Sequence, residues 1–289
     1  GTVQLKGYWS ADPNDAVDLW TAQSISSQGN MTLAVPAATL EAFVGFAEEA
    51  VLKIVAVVTD KAGNTSAVGS ASANEITIDT TVPTIQSFTT GSGNGPFIPT
   101  QSVNVIVTFT EAVKLIGDNL QIEMETGTTD ETFVISAFDY STTANGSYVV
   151  QEDNESSDLA VKAASLLGGS LRDAAGNDVT YALPGSSNLD DNHTVVVDGL
   201  IPTIVSITST TSTGDYAIDD VINVTVTFSE AVTLSGAALV VDLDGGGSAS
   251  ISTFGPSTTA TADYTVGSGE VSSALVAESP LTTTGDIED

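Results

Sequence analysis

Two stretches of this chain recur at a fixed spacing of 119 residues, which limits the folds that it can adopt. The segment Val82–Ile85 (VPTI) returns as Ile201–Ile204 (IPTI). At the same spacing, Asn104–Val113 (NVIVTFTEAV) returns as Asn223–Val232 (NVTVTFSEAV). Self-similarity at one period is typical of arrays in which a single folding unit is copied along the chain. We therefore expect tandem domains and not one large domain.

The repeated stretches have the pattern of β-strands. Val103–Phe109 and Val221–Phe228 alternate apolar with polar residues, as half-buried strands do. Thr and Val, which favour strands, are abundant, and turn residues recur about every 8 to 12 positions. This spacing predicts an all-β chain of Greek-key β-sandwich domains.

A second repeated motif marks where the domains end. The turn Asp60–Asn64 (DKAGN) is echoed by Asp173–Asn177 (DAAGN), and each is followed by a strand and then a proline. These landmarks predict three domains, at residues 1–81, 82–200 and 201–289.

The third predicted domain stops at Asp289, which aligns with Asp173, so its final strand is missing and the first domain lacks its opening linker. Two explanations are open: the chain is cut from a longer protein, or a neighbouring molecule in a filament donates the strand.

The charge balance excludes several kinds of partner. There are 37 Asp and Glu residues against 6 Lys and Arg, for a net charge of −31. Such a chain is not expected to bind nucleic acid or an anionic membrane surface, and its self-repulsion is relieved by salt or bound cations. Without cysteine it forms no disulfide or thiolate metal site, and no apolar run approaches the roughly 18 residues of a membrane span.

Several of these motifs resemble a known family. The stretches VTDKAGNTSA, ITIDTTVPTI, VNVIVTFTEAV, INVTVTFSEAV and LRDAAGND are similar to immunoglobulin-like tandem repeats of giant calcium-dependent surface proteins of bacteria and archaea. Both adhesin extenders and S-layer proteins contain such repeats. The resemblance implies immunoglobulin-like domains arranged as a rod at an extracellular cell surface. Its partners would be neighbouring repeats of the same protein, with Ca²⁺ stiffening the junctions. Residues 1–50 depart from the pattern.

Sandwich topology predicts where calcium would bind. We expect Glu111 to end the second strand of its domain and the Asp173 turn to join the last two strands. Both would then face the linker that carries Asp79, and the amide oxygen of Asn177 would lie beside them. Ca²⁺ takes six to eight oxygen ligands in irregular geometry, which suits this set better than it suits Mg²⁺.

The repeat predicts a second calcium site from Asp198, Glu230 and Asp289, while Asp60, with Asn64, would face the linker of a preceding domain. Plain turn chemistry without a metal is the alternative for all of these residues. Calcium is a weaker expectation for the acids that no repeat supports, which are Asp190, Asp191, Asp215, Asp219, Asp220, Asp242 and Asp244.

We do not expect an enzyme, because the single histidine, His193, has no nucleophile motif near it. The leading interpretation is a structural or adhesive array. One alternative is an S-layer or filament subunit that assembles through contacts between copies. Another is a carbohydrate-binding module that stacks glycans on Trp9 and Trp20, although both rings would equally fill a core.

Overall fold

The computed structural model of the protein describes residues 1–9, 16–26, 30–73, 75–279, 281–283 and 285–289. The prediction of an all-β chain is confirmed, since 48% of the residues lie in strands and 3% in helices. No described helix is long and apolar enough to cross a membrane. By its contacts the chain divides into two compact units, Gly1–Gly199 and Leu200–Asp289. The separation of residues 1–81 from 82–200 as independent domains stays a prediction.

The first unit begins with an antiparallel sheet over a small core. Its elements are β1 (Thr2–Tyr8), β2 (Val17–Asp18), β3 (Gln23–Ser24), α1 (Ala37–Glu41), β4 (Val51–Thr59) and β5 (Ile76–Thr77). The strands are ordered β2-β1-β4-β5, and β3 also pairs with β1. Leu19, Phe43 and Leu52 are buried against this sheet.

The remainder of the first unit contains three sheets around one larger core. Its elements are β6 (Ile85–Thr90), β7 (Gly95–Phe97), β8 (Ser102–Ile116), β9 (Leu120–Met124), β10 (Glu131–Ile135), β11 (Phe138–Val149), β12 (Glu155–Ser156), β13 (Val161–Leu166), β14 (Ser170–Arg172), α2 (Leu189–Asn192) and β15 (Val195–Asp198). The sheets are β11-β8-β14 with β6 on β8, then β10-β9-β13, and β12-β15-β7. Residues from all three contribute to a single hydrophobic cluster, which is consistent with a β-sandwich.

The long strand β8 supplies much of that core. Val103, Val105, Val107 and Phe109 are buried on one face, as the alternation predicts. Each such side chain contributes about 1.5–3 kcal/mol when fully buried. The expectation that the strand ends at Glu111 is wrong: β8 continues to Ile116 for 15 residues in all. A bulge allows this, because the register with β11 shifts between Thr108 and Val113.

The second unit reproduces this arrangement in part. Its strands are β16 (Ile204–Thr208), β17 (Val221–Ser235), β18 (Leu239–Asp242), β19 (Ser248–Ile251), β20 (Phe254–Thr265), β21 (Thr282–Thr283) and β22 (Asp286–Glu288). They form the sheets β16-β17-β20, with β22 on β17, and β19-β18-β21. Strand β17 has 15 residues, like β8, and is displaced from it by 119 positions.

A shorter β18–β19 hairpin then changes the spacing from 119 to 116 residues. Equivalent pairs of side chains still pack together in the two units despite this change in spacing. Phe109 stacks with Phe138 at 6.4 Å between ring centroids, and Phe228 stacks with Phe254 at 6.2 Å. The sequence repeat is therefore a repeat of tertiary packing.

A buried hydrogen bond closes the loop after β11. The Tyr148 hydroxyl donates to Asn154 Oδ1 at 2.6 Å, and Gln151 N donates to the same oxygen at 2.9 Å. Both Tyr148 and Asn154 are buried. Burial raises the pKa of the Tyr148 hydroxyl far above its ordinary value, so this hydroxyl keeps its proton and remains a donor.

We expect Tyr148→Phe to lower the free energy of unfolding by about 1 kcal/mol, because Asn154 Oδ1 loses one of two buried donors. Denaturant unfolding followed by circular dichroism measures this. Tyr140, which is half exposed, provides the control, and Tyr140→Phe should change stability by less than about 0.5 kcal/mol. Equal effects of the two variants would contradict the assignment.

Candidate metal centre

The turn after β14 holds Asp173 in a fixed orientation. Asp173 Oδ1 accepts from the backbone N–H groups of Gly176 (2.7 Å) and Asn177 (2.9 Å), and Asn177 Nδ2 donates to Oδ2 (2.8 Å). Gly176 has a φ of 103°, a conformation that suits glycine. These contacts explain the D-x-x-G-N motif and leave Asp173 only 4% exposed.

The same motif forms a turn at Asp60, which belongs to no cluster of three acidic residues in the part of the chain that the structure describes. Asp60 Oδ1 accepts from Ala62 N (2.8 Å) and Asn64 N (2.9 Å), and Asn64 Nδ2 donates to Oδ2 (2.9 Å). These hydrogen bonds, that from the Asn64 side chain foremost, lower the pKa of Asp60. The motif is thus satisfied by turn chemistry alone, and a metal-binding role for Asp60 stays a prediction.

The segment carrying Asp79 is attached at both of its ends. Ile78 exchanges backbone hydrogen bonds with Glu49 and Ala50, each at 2.9 Å. Beyond it, the Thr80 N–H and hydroxyl donate to Glu48 Oε2 at 2.6 and 2.7 Å. Asp79 is therefore held between two anchored residues.

Asn177 connects the turn to this segment. Its Nδ2 donates to the backbone oxygen of Asp79 at 3.2 Å as well as to Asp173. The amide nitrogen, and not the oxygen, makes these contacts. Asn177 thus positions both partners, and its role as an oxygen ligand stays a prediction.

Glu111 enters the site from the middle of β8. The residue before it, Thr110, is fixed by two hydrogen bonds with Thr84, one from Thr110 N to Thr84 O and one from Thr84 N to Thr110 Oγ1, both 3.0 Å. Glu111 Oε1 is buried and has no hydrogen-bond partner. A buried charged oxygen without a partner is costly and marks this position as unusual.

The three predicted carboxylates converge. One oxygen each of Asp79, Glu111 and Asp173 lies within 4.8 Å of the other two. Oxygens bound to one Ca²⁺ at about 2.3–2.6 Å can be no more than about 5 Å apart. The cluster is therefore compact enough for all three residues to bind one ion.

The environment of the cluster disfavours the negative charge of Glu111. Burial raises the pKa of Glu111, and the nearby charges of Asp79, Asp173 and Glu48 raise it further. Two unit charges about 5 Å apart repel by about 3 kcal/mol at an effective dielectric constant of about 20. For Asp173, burial also acts to raise the pKa, but the hydrogen bonds from Asn177 and Gly176 outweigh it and the pKa is lowered. Asp173 thus stays ionised beside Glu111, and a cation would relieve the repulsion.

Glu48 is a part of the site that the sequence did not reveal. It binds Thr80 and adds to the negative potential at Glu111. The available signal was an acidic pair, Glu48–Glu49, which is separated from β4 by one residue. Glu48 becomes part of the site only because its segment hydrogen-bonds to Ile78 and Thr80, on either side of Asp79.

Equivalent residues recur in the second unit. Glu230 lies in β17 as Glu111 lies in β8, and Asp289 follows β22 as Asp173 follows β14. Carboxylate oxygens of Glu230 and Asp289 are within 4.8 Å of each other. Asp198 ends β15 in the first unit, and its grouping with these two residues stays a prediction.

The acids that no repeat supports belong to no further cluster of three among the described residues. Several have local structural roles. Asp191 completes the capping box of α2, Asp220 accepts from Ala217 N, and Asp244 accepts from Val276 N.

The Trp9 ring packs in the small core of the first unit. Its centroid lies 5.6 Å from that of Phe43, and Nε1 donates to Val44 O at 2.7 Å. These contacts fit a core-filling role. The glycan-binding alternative has no further support from this residue.

A comparison with protein-family models found no match, and a comparison with curated proteins found none either. The function is therefore inferred from the site and the repeat.

We expect Glu111→Gln to stabilise the protein in EDTA at pH 7, because it removes a buried, repelled charge. A gain of about 1 kcal/mol corresponds to a midpoint rise of about 2–4 °C. Since the folded-state pKa of Glu111 is raised, the penalty is complete above that pKa and disappears as the pH falls towards the unfolded value of about 4.3. Thermal melts from pH 7.5 to 4.5 measure the difference. Glu152→Gln, an exposed change beyond the far end of β11, should show none.

Proposed function

We propose that Asp79, Glu111 and Asp173 bind Ca²⁺ and that the chain is a calcium-stiffened structural array. The observation that carries this proposal is the buried, unpartnered Oε1 of Glu111 within a cluster of three carboxylates. A cation at this point would supply the missing partner and neutralise charge that the protein leaves uncompensated.

The donor set favours Ca²⁺ among common cations. Three carboxylates are hard oxygen ligands, and no cysteine and no second histidine exist in the chain to provide soft or imidazole ligands. Backbone carbonyls and water would complete a shell of six to eight oxygens, which Ca²⁺ accepts in irregular geometry. Mg²⁺ requires a tighter octahedron and retains its water more strongly.

The proposed ion would act mechanically. Its ligands come from three separate segments: the stretch before Pro83, the middle of β8 and the turn after β14. An ion binding all three would connect residues 1–81 to the following repeat and would restrict their relative motion. Bound only by the folded state, it would also stabilise the fold.

We propose that such repeats are immunoglobulin-like Greek-key domains placed in a row at an extracellular cell surface. The internal repeat, the net charge of −31 and the resemblance to calcium-dependent surface repeats support this. A strongly acidic chain is best suited to a salty, calcium-containing exterior. The proposed role is structural and involves no catalysis.

Calcium should reverse the order of stability of two variants. In EDTA, Glu111→Gln should melt above the wild type. In about 10 mM CaCl₂ the wild type should gain about 2.7 kcal/mol, if the ion is at 100 times its dissociation constant, and should then melt above the variant. Differential scanning calorimetry with MgCl₂ as a matched control measures this. Equal shifts with both cations, or no shift, would argue for turns that bind no specific metal.

Calcium should also protect particular backbone amides. Hydrogen exchange followed by mass spectrometry should slow in peptides covering residues 79–84 and 173–180, since the ion would suppress local opening there. Peptides covering residues 60–64, which form the same turn without a cluster, are the internal control. Uniform protection, or protection that persists in Asp173→Asn, would contradict binding at this site.

A further inference from the structure

A strained turn holds the chain where β5 ends, just before Asp79. Ile78 directly follows β5, and its backbone exchanges hydrogen bonds with Glu49 and Ala50, each at 2.9 Å. Glu49 has a φ of 59°, in the left-handed region that a residue with a side chain seldom adopts. Such strain persists only where the surrounding contacts outweigh it, and it concentrates where a structure needs a particular geometry.

The same backbone arrangement recurs where β15 ends. Gly199 directly follows β15 and exchanges backbone hydrogen bonds with Asp153 and Asn154, at 2.9 and 2.7 Å. Asp153 has a φ of 66°. It lies two residues before β12, which pairs with β15, just as Glu49 lies two residues before β4, which pairs with β5. The strained turn is therefore a repeated feature of the chain and not an accident of one loop.

Glu48 extends this hold past Ile78 to the other side of Asp79. Its Oε2 accepts from Thr80 N at 2.6 Å and from Thr80 Oγ1 at 2.7 Å. Hydrogen bonds to an ionised acceptor are about twice as strong as those between neutral groups. These bonds, that from the Thr80 hydroxyl foremost, lower the pKa of Glu48, so its carboxylate is ionised at neutral pH.

The Asp79 carboxylate depends on its flanking backbone for its orientation. Within the part of the chain that the structure describes, it accepts one hydrogen bond, from Thr81 N at 3.2 Å. Asn177 donates to the backbone oxygen of Asp79 and not to its carboxylate. The direction in which Asp79 points is therefore set by Ile78 and Thr80, the residues on either side of it.

Glu48 also contributes charge to the cluster. Burial is the largest cause of the raised pKa of Glu111, and the charge of Glu48 adds to it together with those of Asp79 and Asp173. This charge is unfavourable in the absence of a cation and would attract one. Salt screens the interaction between exposed charges but leaves a hydrogen-bonded geometry in place. The two effects of Glu48 can therefore be separated by experiment.

We propose that Glu48 is a positioning residue of the candidate metal centre: it holds Thr80 and thereby keeps the Asp79 carboxylate beside Glu111 and Asp173 before an ion binds. The inference builds on the proposed function, since it takes Asp79 as a ligand of Ca²⁺. Glu48 itself does not bind the ion. Its hydrogen bonds to Thr80 place a ligand in advance, which lowers the cost of assembling the site when calcium arrives.

Calcium affinity, measured by isothermal titration calorimetry on the full chain, tests the role of Glu48. Every chain carries Glu230→Gln, which removes the second predicted site. Glu48→Ala removes both hydrogen bonds and should weaken binding at least about ten-fold. Glu48→Gln keeps an acceptor oxygen for Thr80, so it should weaken binding at low salt but stay within about two-fold of the parent chain in about 0.5 M KCl, where charge is screened. Glu49→Gln removes the same charge one residue away and should match the parent in the same high salt.

Hydrogen exchange in EDTA tests the positioning without the ion. Peptides covering residues 79–84 should exchange faster in Glu48→Ala than in Glu48→Gln or the parent chain, while peptides covering residues 60–64 should not change. Unchanged exchange in Glu48→Ala would overturn the inference, as would equal losses of affinity in Glu48→Ala and Glu48→Gln at high salt, which would make Glu48 a ligand. Faster exchange in Glu48→Ala in a parent chain that binds no calcium would support the positioning role and refute the proposed function.

Discussion

The fold depends on the two-residue alternation of the long strands β8 and β17. Each places every second side chain in a core while its edges pair with strands on both sides. Because the side chains of a strand alternate between faces, a register slip of one residue would expose the entire apolar set. The pairing of β8 with β11 shifts register at two places, and one of these shifts lies between Thr108 and Val113. Glu111 lies within that shift, so the constraint that builds the core also positions the residue at the centre of the candidate metal site.

In the candidate metal site, local structure fixes the turn and tertiary structure brings the carboxylates together. The D-x-x-G-N turns at Asp60 and Asp173 are similar, since in each the carboxylate accepts from two backbone N–H groups and from the asparagine amide. Among the described residues, Asp60 belongs to no cluster of three acids, whereas Asp173 lies beside Glu111 and Asp79. Turn chemistry therefore accounts for the motif, while the accumulation of uncompensated charge accounts for the proposed ion. A bound cation would turn a local repulsion into a link between three segments of the chain.

Because of the internal repeat, the packing of the two units can be compared residue by residue. Where side chains and contacts coincide, as in the stacked pairs Phe109–Phe138 and Phe228–Phe254, the packing of the two units is equivalent. Where they differ, as in the shorter β18–β19 hairpin, the spacing of the repeat changes while the buried contacts are kept.

The sequence by itself determined the all-β class, the repeat and the three acids that come together, because alternation and spacing are written in the order of residues. It placed Glu111 at a strand end, which is wrong, since a bulge depends on pairing with β11 and leaves no local signature. It did not find Glu48, whose role arises from contact with Thr80, far along the chain. Only the tertiary structure decided that Asn177 presents its amide nitrogen and that Glu111 Oε1 is buried without a partner. These features depend on distances between segments remote in sequence, and local patterns do not encode such distances.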